Sequence, residues 1–305
     1  MPGNKISSTQ LTIWIITAMI GPIVFYSDGN WTATLIIGFG FTILDWLAAR
    51  FGRRWQGSVY AIVQTVWISV LLSQLLYYSA LCWPTGQRTF PVIPLTILVL
   101  SGVSAIKGDN NTASGISVLF WIVFGLIGTV ILLGVGNIEI AYLQPQMESP
   151  NIVMLLVMLL PAVVGFLDND RCEMRPFVIV AGIASVISVW IAGTFSPQFA
   201  KSIVWPFYNS AKSVHLFDMA SRLEALVSVG VTIGNYALYS MLFCAVGAIF
   251  EPYGYRKYAI VATGAIAAVI MLIGIHIETI ILVIICALLW LFLPLLGLVI
   301  PKKKE

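Results

Sequence analysis

The sequence predicts an all-α integral membrane protein with ten transmembrane helices arranged as a 5+5 inverted repeat. Three observations predict it. Of the 305 residues, 59% are hydrophobic and only 10% are charged, against about 25% charged in an average soluble domain. So few charges cannot cover a surface that faces water, and the mean hydropathy of +0.97 excludes a disordered chain as well. The apolar stretches run to roughly twenty residues, the length a helix needs to cross a bilayer, where a barrel strand would show about ten alternating ones. Finally, Gly/Pro breaks recur in the first helix of each half of the chain.

Polar or turn-forming residues divide the chain into ten spans, at roughly 11–26, 32–49, 57–82, 91–106, 114–136, 151–167, 176–196, 223–250, 258–276 and 279–300. Span one has the length of a signal peptide, but no small-residue cleavage site follows and more spans do, so it reads as a retained helix. It holds Gly21-Pro22 in its middle. Span two carries Asp45 ahead of Arg50, placed for an interfacial salt bridge. Span three carries Gln64 and Thr65, polar groups that either wall a site or join helices. Pro161 interrupts span six, with Gly165 one turn later. The connection 197–222, with Trp205, Phe207 and Tyr208 among polar groups, reads as a short helix lying at the interface. Span eight carries Ser228, Thr232 and Asn235. In span nine Gly264, Ala265, Ala267, Ala268 and Gly274 make a small-residue surface for close packing, within the chain or against a partner. His276 and Glu278 fall in a short outer turn and read as solvated. Pro294 is a break in span ten that the repeat does not require.

Lys and Arg set the orientation. With an even number of spans both termini share a side. That side collects Lys5, Arg50, Arg53, Arg54, Lys107, Arg171, Arg175, Arg256, Lys257, Lys302, Lys303 and Lys304, and the other has only Arg88, Lys201, Lys212 and Arg222. Both termini are therefore expected in the cytoplasm. Cys82, Cys172, Cys244 and Cys286 are scattered without a C-x-x-C, which fits neither a disulfide framework nor a zinc site. No nucleophile–base pair, phosphate loop or metal cluster is present, so neither an enzyme nor a metal, cofactor or nucleic-acid binder is expected. The whole chain, 1–305, reads as one transmembrane domain, with a first repeat at about 1–145 and a second at about 150–305.

An odd number of helices per half inverts the second repeat, and matched Gly/Pro breaks then point to a binding site. Pro22 has no N–H to give the Ala18 carbonyl, and Pro161 has none for Val157. In a medium without water the freed groups need partners, which a bound zwitterion can supply. A proline can also serve only as a kink; its place in two matching helices favours the site. The expected ligand-binding set is Ile20, Gly21, Pro22 and Ile23 of span one, Gln64 of span three, and Pro161, Val163, Val164, Gly165 and Phe166 of span six. Neither break contains Lys or Arg, and the flanking side chains are apolar. A small neutral or apolar amino acid suits them best. Ser228 and Thr232 share a face of span eight and either help couple an ion or back-bond to their own helix. Asp218 and Arg222, with Glu224, form a structural pair or an outer gate.

Three motifs in order carry a family resemblance. Ile6-Ser7-x-x-Gln10 opens the chain and reads as a capping box, in which Ser7 accepts from the Gln10 N–H while Gln10 reaches back; Pro161-x-x-x-Gly165-Phe166 lies in span six, and Ser221-Arg222-Leu223-Glu224 opens span eight. Together they resemble the spore germination GerAB family of the amino acid–polyamine–organocation transporters. Lys107-Gly108 also matches, with Asn110 where the family carries an acid and Ser114 where it carries an arginine. The resemblance implies a LeuT-type fold in which spans one and six hold the ligand and spans three and eight wall it. It also implies a germinant receptor subunit in the spore inner membrane, with a second membrane subunit and a lipoprotein as partners. A secondary active amino acid transporter of the same fold is the alternative, and a scaffold whose ligand site has decayed is a third.

Overall fold

The computed structural model describes residues 6–36, 38–40, 43, 58–81, 91–144, 160–162, 175–203, 205–213 and 223–293. Helix α1 (Ser8–Tyr26) begins where its sequence can satisfy the first free backbone groups. The Ser7 hydroxyl accepts from the Gln10 N–H at 3.2 Å, and the Gln10 carboxamide oxygen accepts from the Ser7 N–H at 3.1 Å. This reciprocal capping box is the one the motif predicts. Gln10 then donates to the Ser114 hydroxyl at 3.2 Å, which ties the chain start to a helix 104 residues away.

The further helices are α2 (Ser58–Leu81), α3 (Val92–Lys107), α4 (Asp109–Gly134), α5 (Arg175–Thr194), α6 (Pro197–Ser202), α7 (Pro206–Ser213), α8 (Leu223–Phe250), α9 (Arg256–Ile273) and α10 (Thr279–Ala287). Residues 31–36 and 160–162 are helical too, and no strand occurs among the described residues. Among the described residues, five helices are long and apolar enough to cross a membrane: Val59–Ala80, Asp109–Asn137, Arg175–Thr194, Leu223–Tyr253 and Arg256–Ile273. They mark the chain as a helical membrane protein. Helices at Ser8–Val24, Val92–Lys107 and Thr279–Phe292 are apolar but shorter.

One sequence expectation is corrected here. Helix α1 runs unbroken through Gly21-Pro22, and the pair lies near its C-terminal end, not in its middle. Pro22 deletes one intrahelical bond, and the helix stops four residues later, where the Ser27 N–H closes on the Ile23 carbonyl at 3.0 Å. A proline this close to an end removes little of the remaining ladder, which explains why the helix survives it.

The hub is α8. Its 28 residues reach about 42 Å at 1.5 Å per residue, and it packs against α1, α2, α3, α4, α7 and α9. Its middle is buried on every side from Ala237 to Gly247, as expected for a helix that is apolar all round.

The connections sort to two ends. At one end lie the chain start, the α3–α4 turn and the α8–α9 turn. Arg256 pairs there with Asp109, reaches Glu251 at 3.4 Å, and donates to the Ala105 carbonyl at 3.4 Å. At the other end the Ser27–Asn30 loop is buried beneath the end of α5. A methyl group on Gly29 would stand 3.4 Å from both the Ala192 nitrogen and the Ala200 Cβ, and its φ of +81° is one that glycine adopts freely. The Glu139 N–H donates to the Gly193 carbonyl at 2.9 Å. The connection after α5 contains two short helices where the sequence predicts one. The second is held to the core by buried Phe207, Ser210 and Ala211, with Phe207 stacked on Trp190 at 4.9 Å.

The α9–α10 turn at this same end also differs from expectation. His276 is not merely solvated: its Nδ1 shares a hydrogen bond of 2.8 Å with Gln74 Oε1, and its ring lies 4.6 Å from Tyr77. The buried Gln74 amide also donates to the Ile275 carbonyl at 2.9 Å and accepts from the Ile277 N–H at 3.3 Å. A chain reversal this short leaves backbone groups that its own residues cannot satisfy, and one glutamine supplies the partners.

Candidate functional site

The site is built where α1 crosses α8. The approach is closer than side chains allow. A methyl group on Gly234 would stand 2.9 Å from the Gly21 nitrogen and 3.2 Å from the Thr17 carbonyl oxygen; one on Gly21 would stand 2.6 Å from Asn235 Oδ1. Gly234 therefore lets two backbones touch, the use that small residues serve between membrane helices. One turn along, Trp14 is fully buried and its indole N–H donates to the Ala237 carbonyl at 2.9 Å. That bond fixes the register of the crossing, and the buried Thr17 hydroxyl turns back to the Ile13 carbonyl at 2.7 Å.

Asn235 faces Gly21 across this contact. It is only 3% exposed, and its amide oxygen is the atom that a methyl group on Gly21 would meet first. An amide can both donate and accept hydrogen bonds, and this one stands directly beside the Gly21 backbone. The backbone beside it carries a second opening, because Pro22 has no N–H to give the Ala18 carbonyl.

The predicted residues are distributed as follows. Ile20, Gly21, Pro22 and Ile23 are all buried, and Gly21 lies against Asn235 and Val231 of α8. Pro161 is buried between Leu160 and Ala162; Val163, Val164, Gly165 and Phe166 lie outside the described residues. Gln64 is buried beside Tyr60, on a helix whose principal neighbours are α9, α8 and α3 and not α1. The structure does not bring it to Gly21. Ser228 and Thr232 donate to the carbonyls of Glu224 and Ser228, at 3.0 and 2.7 Å. Glu224 sits in the first turn of α8, while Asp218, Arg222 and Asp45 lie outside the described residues.

The electrostatics are simple. No charged residue occurs in α1, and Glu224 is the one charged residue of α8. Among the described residues no group of His, Cys, Asp and Glu is placed to hold a metal. Recognition at the crossing therefore falls to an amide, hydroxyls and backbone dipoles. Sequence reasoning gave Asn235 no role, although the signal was present: it is an amide one turn from Thr232 in an otherwise apolar helix. The role of Trp14 was not visible, because nothing in the sequence distinguishes a tryptophan that donates across helices from one that only fills space.

Compared with known proteins, the chain matches no protein-family model and no curated protein at a significant level. The geometry of the crossing is thus the basis for a functional reading.

Proposed function

We propose that the chain is a nutrient-sensing receptor subunit of a spore-forming bacterium, built on a ten-helix inverted repeat of the LeuT type. It captures a small neutral or apolar amino acid beside Gly21-Pro22 of α1 and the Pro161 segment. The observation that carries this reading is the Asn235 amide set against Gly21, in a crossing free of charged side chains. An amide can both donate to a carboxylate and accept from an ammonium. The lone Ala18 carbonyl is a further acceptor. The resemblance of the Ser7, Pro161 and Arg222 motifs to the GerAB family supports the same reading, with a second membrane subunit and a lipoprotein as partners. Both termini would then face the cytoplasm.

Capture works by population shift. A ligand that binds the closed arrangement of α1 and α8 more tightly than the open one moves the equilibrium by its differential affinity, and the partner subunits read the change. The test is the purified chain in liposomes with labelled neutral amino acids. Saturable binding without flux is expected. Coupled flux would make the chain a permease using the same site, and a preference for glutamate or lysine would overturn the proposed ligand class.

A further inference from the structure

A second feature lies on the outer wall of the bundle, away from the α1–α8 crossing. Between α3 and α9 runs an apolar groove of about 340 Å³. Val99, Gly102 and Val103 form one wall, Val261, Ala265 and Ala268 the other, and the Phe243 ring is the floor. The small residues predicted for span nine thus divide. Gly264, Ala265 and Ala268 hollow out the groove, while Ala267 is fully buried on the inner face.

The groove has a direction and a charged mouth. Its α3 wall extends from Leu95 to Ile106, about 16 Å of helix. That is close to one leaflet of a hydrocarbon core about 30 Å thick, and about half of what a partner helix would need to cross it. One turn beyond Val103 stands Lys107, and one turn before Val261 stands Lys257, so both continue the groove's own face. They lie at the same end, because Arg256 reaches the Ala105 carbonyl. Both lysines are exposed, and neither has an ion-pair partner among the described residues. The neighbouring Arg256 is occupied by Asp109 and Glu251.

We infer that this groove is a binding site for an anionic phospholipid, with one acyl chain between α3 and α9 and the phosphate between Lys107 and Lys257. An apolar slot one leaflet deep, ending in two uncompensated ammonium groups at headgroup level, matches such a lipid in length, polarity and charge. The inference is independent of the ligand reading above.

Native mass spectrometry of the full chain in mild detergent tests it, with phosphatidylglycerol and phosphatidylcholine of identical chains. Glycerol phosphate serves as a chainless competitor. At about 1 kcal/mol per lysine near an anionic surface, the wild type should prefer phosphatidylglycerol about 30-fold at low salt. The double variant Lys107→Ala/Lys257→Ala should bind both lipids alike. Ala265→Leu, at an exposed position, should displace both lipids by filling the slot. Equal binding of the two lipids by the wild type would overturn the inference. A preference that survives loss of both lysines, or lipid binding unchanged in Ala265→Leu, would also overturn it. Competition by glycerol phosphate as effective as by the lipid would reduce the site to a phosphate site and refute the acyl-chain part.

Discussion

At Gly234 an added methyl group would meet the Gly21 backbone at 2.9 Å, whereas at Gly21 it would meet the end of the Asn235 side chain at 2.6 Å. The difference decides which substitution is tolerated. Backbone cannot move aside without shifting a helix, so Gly234→Ala should cost about 1–3 kcal/mol of stability, the range for overpacking. Gly21→Ala should cost less, and Asn235→Ala in the same chain should restore the loss. Thermal unfolding of the three variants in detergent measures this. Asn235→Ala alone gives the sharper result. It removes the amide beside Gly21, so amino acid binding should fall while the chain stays folded. Unchanged binding in that variant would separate Asn235 from any ligand.

At the scale of the element, α10 departs from the α-helical pattern at its end, while Pro294 lies outside the described residues. Beyond Ala287 the helix widens into a π turn, Leu288–Phe292, in which the Leu293 N–H bonds to the Leu288 carbonyl. That shift takes the Leu289 carbonyl off the α-helical pattern, so the Leu293 N–H does not meet it. The Tyr60 hydroxyl of α2 donates to Leu289 instead. Tyr60→Phe should therefore destabilise the chain by about 1–3 kcal/mol. Denaturant unfolding in detergent measures the loss. The α9–α10 turn obeys the same logic. Gln74→Leu should speed amide hydrogen exchange at Ile277, whose N–H loses its acceptor, and leave exchange in the middle of α8 unchanged.

For the whole molecule, the contacts place the α3–α4 and α8–α9 turns at one end of the bundle. The Ser27–Asn30 loop, α6, α7 and the α9–α10 turn lie at the other. Cysteines introduced at Lys107 and Lys257 should react with an impermeant thiol reagent from one side of a sealed vesicle. Those at Ile140 and Glu278, both exposed, should react from the opposite side. Native Cys244 and Cys286 are buried and should stay silent. Labelling of Lys107→Cys and Glu278→Cys from the same side would overturn the two-ended arrangement.

Much of this was legible in the chain. Scarcity of charge required a lipid-facing helical protein, since backbone groups in hydrocarbon must pair within their own segment. The Ser7–Gln10 cap was legible too, because both partners lie within one turn. Lys107, Arg256 and Lys257, which the sequence assigns to one side, do lie at one end, where Arg256 reaches the Ala105 carbonyl. Pairings between distant segments were not legible. No local pattern links Trp14 to Ala237, Tyr60 to Leu289, or Gln74 to the turn at His276, since each bond depends on which helices become neighbours. Gly21-Pro22 shows the division most clearly. Its residue types announced a special backbone position, and only the packing of α1 on α8 decided its form: an unbroken helix pressed against Gly234 and Asn235, because close approach of two backbones needs glycine as much as an unwound turn does.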